Sequence, residues 1–132
     1  MDVAKFEREI TAWIAAKLNL AVDTKVFRGG IPDAIGYGVG VRISEQGGFA
    51  LLEQPQFTVQ FLGKFADRDE AYSFLEQMRG IFPAWGQETE SFELVNAIPA
   101  YVGNAPFEAN DKGVRKVCVS FPVQFSVLTL GA

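Results

Sequence analysis

The segment from Val114 to Leu128 alternates apolar and polar side chains, and this feature most limits the folds open to the chain. Successive side chains of a β-strand point to opposite faces, so a period of two predicts a strand with one face on a core. The apolar phase consists of Val117, Val119, Phe121, Val123, Phe125 and Val127. Pro122 falls on the other phase and predicts a sheet edge or a β-bulge, because proline donates no ladder hydrogen bond.

Two segments have helical periodicity instead. Apolar residues recur at helical spacing from Val3 to Leu18, and Asp2 is placed to cap the first turn, so a helix is predicted over this range. The segment "DRDEAYSFLEQMRGIF" begins with a capping-box-like pair, Asp67 and Glu70, and Pro83 follows its last residue. Both helices are amphipathic, so each is expected to bury one face.

Four further segments favour strands, and together they set the predicted fold class. They are "TKVFRG", "GVGVRIS", Gln56 to Phe65, and about Glu90 to Ala97. The segment "EQGGFALLEQP" is predicted to be a long hairpin connection. The order α-β-β-β-α-β-β predicts a single α+β domain over residues 1–132, with a mainly antiparallel sheet and two helices on one face.

The residue inventory argues against most catalytic chemistry. The chain has no histidine and one cysteine, Cys118, which removes the commonest general base, the usual partner of a nucleophile and any multi-thiolate metal site. The glycines of "GYGVGV" match neither a dinucleotide nor a phosphate loop, and Glu88 with Glu90 lacks a third metal ligand. No cofactor and no metal are therefore predicted. Carboxylate-dependent catalysis stays open, as does a dimeric module that binds a small ligand or a protein.

The charge and hydropathy of the chain limit the kinds of partner that it is expected to bind. The net charge is -4 and the twelve basic residues are scattered, so the chain lacks the clustered cations of a nucleic-acid grip. No apolar run approaches the roughly 20 residues that a membrane span requires, and the start "MDVAKFEREI" does not resemble a signal peptide. The sequence thus predicts a protein made and kept in a cytoplasm.

The segment from Pro99 to Asn110 is predicted to be a surface loop that carries two aromatic residues, Tyr101 and Phe107. Long loops in compact domains are commonly functional or disordered, and disordered linkers are poor in aromatics. The turn sequence "NDKG" then leads into the last strand. Two alternatives follow: the aromatics anchor a partner, or they fold back onto their own core. Arg115 is placed to offer a forked contact to a neighbour's carboxylate.

The element order and two motifs together resemble the tail-terminator and minor capsid proteins of long-tailed bacteriophages. The chain has the "GGIPD" segment, then "IPAYVG", which fits a Pro-x-x-x-Gly pattern, and "DKGVRKVCVSFPVQF", which fits Asp-x-x-x-Arg before a closing alternating strand. The resemblance covers nearly the whole chain. It departs from the family pattern by the insertion "NAPFEAN" between Gly103 and Asp111.

The resemblance implies a structural protein of the virion tail, assembled in the host bacterial cytoplasm. Such proteins form a ring, typically of six subunits, that caps the tail tube, ends its growth and joins the tail to the head-completion protein. DNA passes through the ring without specific binding. Six copies of a chain with net charge -4 carry a net charge of 6 × (-4) = -24, and an acidic assembly gathers few contacts with DNA phosphates. The resemblance also implies that the protein is not an enzyme. The residues predicted for ring or partner contact are Tyr101, Phe107, Asp111, Arg115, Pro32 and Asp33.

Overall fold

Two amphipathic helices and seven strands make up the computed structural model, which describes residues 2–47, 56–100, 105–111 and 113–131. In chain order the elements are α1 (Val3–Leu18), β1 (Val26–Arg28), β2 (Gly38–Gly47), β3 (Gln56–Phe65), α2 (Arg68–Ile81), β4 (Ala84–Glu88), β5 (Phe92–Pro99), β6 (Phe107–Asp111) and β7 (Val114–Thr129). The carboxylates of Asp2 and Asp67 cap α1 and α2 by accepting backbone N–H groups three residues ahead, at 3.0 and 2.9 Å. Asn19, with a φ of 56°, ends α1 in the left-handed region. Both helices confirm the predicted ranges to within a residue.

The strands form one open, mostly antiparallel sheet in the order β1-β2-β3-β7-β5-β4. The pair β1–β2 is parallel and the other pairs are antiparallel. β7 lies at the centre: β3 pairs with one side of it, while β5 and β6 pair with different stretches of its other side. The predicted α+β class, with helices on one face of a mainly antiparallel sheet, is confirmed.

The sequence prediction missed two short strands, β4 and β6. Each has five residues, and β6 ("FEAND") ends in Asn110 and Asp111, residue types that are rare in strands. Hairpin pairing with β7 overrides that local preference. The predicted loop from Pro99 to Asn110 is therefore wrong for Pro99, which ends β5, and for Phe107 to Asn110, which lie in β6, whereas residues 101–104 lie outside the described residues. Strand β2 also runs through Gly47, into the predicted hairpin connection, and residues 48–55 of that connection lie outside the described residues.

Pro122 lies in the central strand, so the predicted sheet edge at this position is wrong. It is opposite Gln60 of β3, and its carbonyl oxygen accepts from the Ala100 N–H group at 3.0 Å on the β5 side. In a strand, the N–H and C=O groups of one residue point to the same neighbouring strand. An N–H group at position 122 would therefore point toward β5, as the Pro122 carbonyl does, and not toward β3. The pairing of β5 with β7 ends at Pro99, one residue along, and no ladder bond is therefore lost to β3.

The main core lies between the helices and one face of the sheet, and aromatic rings fill its centre. Phe6 of α1 is fully buried, and its ring centroid lies 4.7 Å from that of Phe57, 5.6 Å from that of Phe92 and 6.2 Å from that of Phe125. These partners come from β3, β5 and β7, so a single side chain of α1 ties together three strands. Neither helix in the described part of the chain has the length and apolarity that crossing a membrane requires.

Residues 29–37, which we call the crossover loop, connect the parallel strands β1 and β2 and lie on the sheet face without helices. Val39 and Val41 face the main core, so Gly40 between them faces the opposite side. A Cβ on Gly40 would lie 3.5 Å from the Gly29 carbonyl oxygen. The crossover loop therefore packs directly on β2, at van der Waals distance from position 40.

Candidate interaction surface

The β6–β7 hairpin carries the most exposed phenylalanine in the described chain. Strand β6 pairs with Val114 to Cys118 of β7, and Gly113, with a φ of 78°, lies in the connecting turn. Phe107 is opposite Cys118 on the face without helices and is 54% exposed. Phe107 thus does not fold back into the main core, which was one of the two alternatives for this residue. Tyr101, the second predicted anchor, lies outside the described residues.

Arg115 lies on the other face of the same hairpin and forms an ion pair with Glu108. Both side chains are exposed, and exposed pairs contribute only about 0–1 kcal/mol because water and salt screen them. A guanidinium has five N–H donors, so this pair leaves donors for a second carboxylate. The predicted contact of Arg115 with a neighbouring subunit stays a prediction. Asp111 ends β6 opposite Val114, at the tip of the hairpin.

The crossover loop brings Pro32 and Asp33 close to the hairpin. The Pro32 carbonyl oxygen accepts from the N–H groups of Ile35 and Gly36, both at 3.0 Å, which closes a tight turn. A Cβ on Gly36 would lie 3.5 Å from Lys116 Nζ at the start of β7. The "GGIPD" segment and the "DKGVRK" segment, which are about 80 residues apart in sequence, therefore form one continuous surface.

A cavity of about 190 Å³ separates the crossover loop from the hairpin, and Asp33, Tyr37, Val114 and Lys116 contribute to its wall. Cavities that hold organic ligands usually measure roughly 300–1,000 Å³. This small space therefore favours a contact surface over a small-molecule site. The sequence prediction missed Lys116, whose side chain is buried here although it is charged, because no local pattern distinguishes it from the other two cations of "DKGVRK".

Carboxylate chemistry finds little support in the arrangement of acidic groups. Among the described residues, no three Asp, Glu, Cys or His side chains are grouped so that they could hold a metal ion. Burial alone raises the pKa of Glu9, but hydrogen bonds from Ser91 and Thr89 outweigh it and bring this pKa below its ordinary value. The Ser91 N–H group donates to Glu9 Oε1 at 2.7 Å, which ties α1 to the β4–β5 turn. This perturbed carboxylate therefore has a structural role.

A second exposed aromatic residue, Trp85, lies far from the hairpin on the terminal strand β4. Its side chain is 63% exposed, the largest fraction for any large apolar side chain in the described chain. The sequence prediction missed Trp85 because it placed a loop between α2 and the next strand. A tryptophan two residues after the helix-ending Pro83 was the available signal, since aromatic residues favour strands and interfaces.

The scan against protein-family models finds no family that matches the chain, and the search of curated proteins finds no match either.

Proposed function

We propose that the chain is the subunit of a tail-terminator ring of a long-tailed bacteriophage or prophage. In this role, six copies close into a ring that caps the tail tube, ends tube growth and presents a surface to the head-completion protein. The proposal takes its starting point from the sequence resemblance described above. The order α-β-β-β-α on which that resemblance was based is present in the fold, and four strands follow α2 where the resemblance has a strand pair.

The observation that carries the proposal is the presence of exposed apolar side chains at both ends of the strand order. Trp85 lies on the terminal strand β4, whereas Leu20 and Val22 lie in the segment leading into the other terminal strand, β1. A two-fold dimer uses one surface that contacts its own copy, whereas a closed ring needs two different surfaces that contact each other. Two separate apolar edges therefore favour head-to-tail association.

The hairpin and the crossover loop supply a third surface for the tube or the head-completion protein. Phe107 and Val114 are exposed there on the same face, and Ile35 of the crossover loop is exposed beside them. Aromatic side chains bury much area and lose little entropy when immobilised, so Phe107 suits an interface anchor. The acidic charge of the chain suits a ring through which DNA slides, because an assembly poor in clustered cations gathers few phosphate contacts.

Native mass spectrometry and electron microscopy test the proposal together. The purified chain is studied alone and after co-expression with the tail-tube protein encoded in the same genome. We expect a discrete ring species, and rings located at tube ends. A two-copy species alone would instead support the dimeric module, and uniform decoration along the tube wall would contradict a terminator role.

A further inference from the structure

Trp85 and Lys17 form a cationic aromatic knob on the surface. Both residues border the same shallow depression, together with Trp13 and Ile81. Lys17 Nζ lies 5.6 Å from the centroid of the Trp13 ring, so the ammonium group is held beside the aromatic residues. The knob thus combines a large exposed indole with a nearby positive charge.

A groove of about 410 Å³ lies elsewhere on the same chain, between the start of α2 and the edge of β2 and β3. Its apolar wall is formed by Leu20, Val39, Phe65 and Phe74. The groove is large enough for one aromatic side chain. We call it the acidic groove, because the carboxylates described next lie on its rim.

Three carboxylates line that rim, and one of them is available for a partner. Asp67 caps α2, and Glu70 Oε2 accepts the Ala66 N–H group at 3.3 Å. The Asp69 carboxylate has no hydrogen bond or ion pair with any residue that the structure describes. The groove therefore suits an apolar side chain with a cation beside it.

We propose that Trp85 of one copy inserts into the acidic groove of the next copy, with Lys17 placed against Asp69. The knob matches the groove in both apolar character and charge, and both belong to the same chain, so a second copy is the occupant. Tryptophan is enriched among the residues that dominate interface energies. Because the knob and the groove are different surfaces, repeated docking proceeds head to tail and can close into a ring. The inference rests on the ring proposed above and assigns its subunit contact.

Mixing two variants, each with one of the two contact surfaces weakened, provides the sharpest test. Trp85→Ala removes the knob and keeps the groove, whereas Asp69→Lys keeps the knob and repels Lys17 at the groove. We expect each variant alone to associate about tenfold more weakly than the wild type, as for loss of an interface anchor. An equimolar mixture should form pairs that grow no further, because each pair joins one intact knob to one intact groove. Sedimentation velocity over a concentration series measures both effects.

A charge exchange tests the ion pair separately. Lys17→Asp should weaken association, and the double variant Lys17→Asp with Asp69→Lys should restore it, since attraction returns with reversed signs. Glu76→Lys serves as the matched control, because Glu76 is exposed on α2 and does not border the groove. Thermal melts of every variant verify that folding is kept.

The outcomes separate this contact from the ring itself. If the wild type forms rings and both Trp85→Ala and Asp69→Lys form them equally well, the docking inference is overturned while the ring stands. A double variant as defective as its parents overturns the pairing of Lys17 with Asp69. If the wild type stays monomeric at millimolar concentration and on tail tubes, the ring and the contact are both refuted.

Discussion

The substitution Phe107→Ala tests whether Phe107 belongs to an interface or to the core. The exposed fraction of its side chain sets the expected loss of binding free energy. Fully burying a phenylalanine stabilises by about 1.5–3 kcal/mol, and 54% of the side chain remains exposed for a partner to cover. The partner contact is therefore worth about 0.8–1.6 kcal/mol, or roughly a fourfold to fifteenfold change in affinity. The part already buried contributes about 1 kcal/mol to folding, which corresponds to a melting shift of about 4 °C.

Two measurements follow on the same protein preparations. Differential scanning calorimetry gives the melting temperature, and titration of tail tubes with labelled protein gives the affinity for tube ends. Phe6→Ala is the matched control, because Phe6 is fully buried against three other rings. That change should cost about 3–5 kcal/mol of folding stability.

We therefore expect Phe107→Ala to weaken tube binding with a small melting shift, and Phe6→Ala to melt far earlier. Tube affinity equal to that of the wild type would show that Phe107 does not anchor the tube. A melting shift as large as that of Phe6→Ala would show that the hairpin is part of the folding core, and the assignment of the hairpin as a contact surface would be wrong.

Three further predictions follow from single residues. Gly38→Ala should destabilise by about 1–3 kcal/mol in chemical denaturation, because a Cβ there would lie 2.6 Å from the Lys25 carbonyl oxygen and φ is 136°. Asp67→Ala should cost about 0.5–2 kcal/mol by the loss of the α2 cap, whereas Asp67→Asn should recover most of it. Burial raises the pKa of Glu9, but the hydrogen bonds from Ser91 lower it overall. The stabilisation by the ionised Glu9 carboxylate is therefore present above its unfolded-chain pKa of about 4.3 and is lost as pH falls through its folded pKa. We expect the difference in melting temperature between wild type and Glu9→Gln to become smaller in acid.

Periodicity was sufficient to predict the long elements. The helix from Val3 to Leu18 and the strand from Gln56 to Phe65 have the bounds that their apolar spacing indicated, because each presents one continuous face to the core. Short elements behaved differently. β4 and β6 have five residues each, too few to establish a period, and β6 ends in residue types that are rare in strands. They are recognised as strands only by their hairpin pairing with β5 and β7.

The candidate interaction surface could be predicted only in part from the sequence. Phe107 could be proposed from its position in a loop-like segment, since aromatic residues there need either a core or a partner. Its neighbours Pro32 and Asp33 are brought to the hairpin by the crossover loop, which follows from the parallel pairing of β1 with β2. The acidic groove was not predictable, because Leu20, Val39 and Asp69 come from three different parts of the chain.

The central place of β7 has a consequence for how the protein is made. Strands β3, β5 and β6 all pair with β7, and the ribosome synthesises β7 after all three. Until Val114 to Thr129 has left the exit tunnel, β3 and β5 have unpaired edges and exposed phenylalanines, a state prone to aggregation. Folding of the sheet must therefore wait until translation has passed residue 129. A ribosome stalled within β7 should leave a nascent chain that proteases cut readily and chaperones hold.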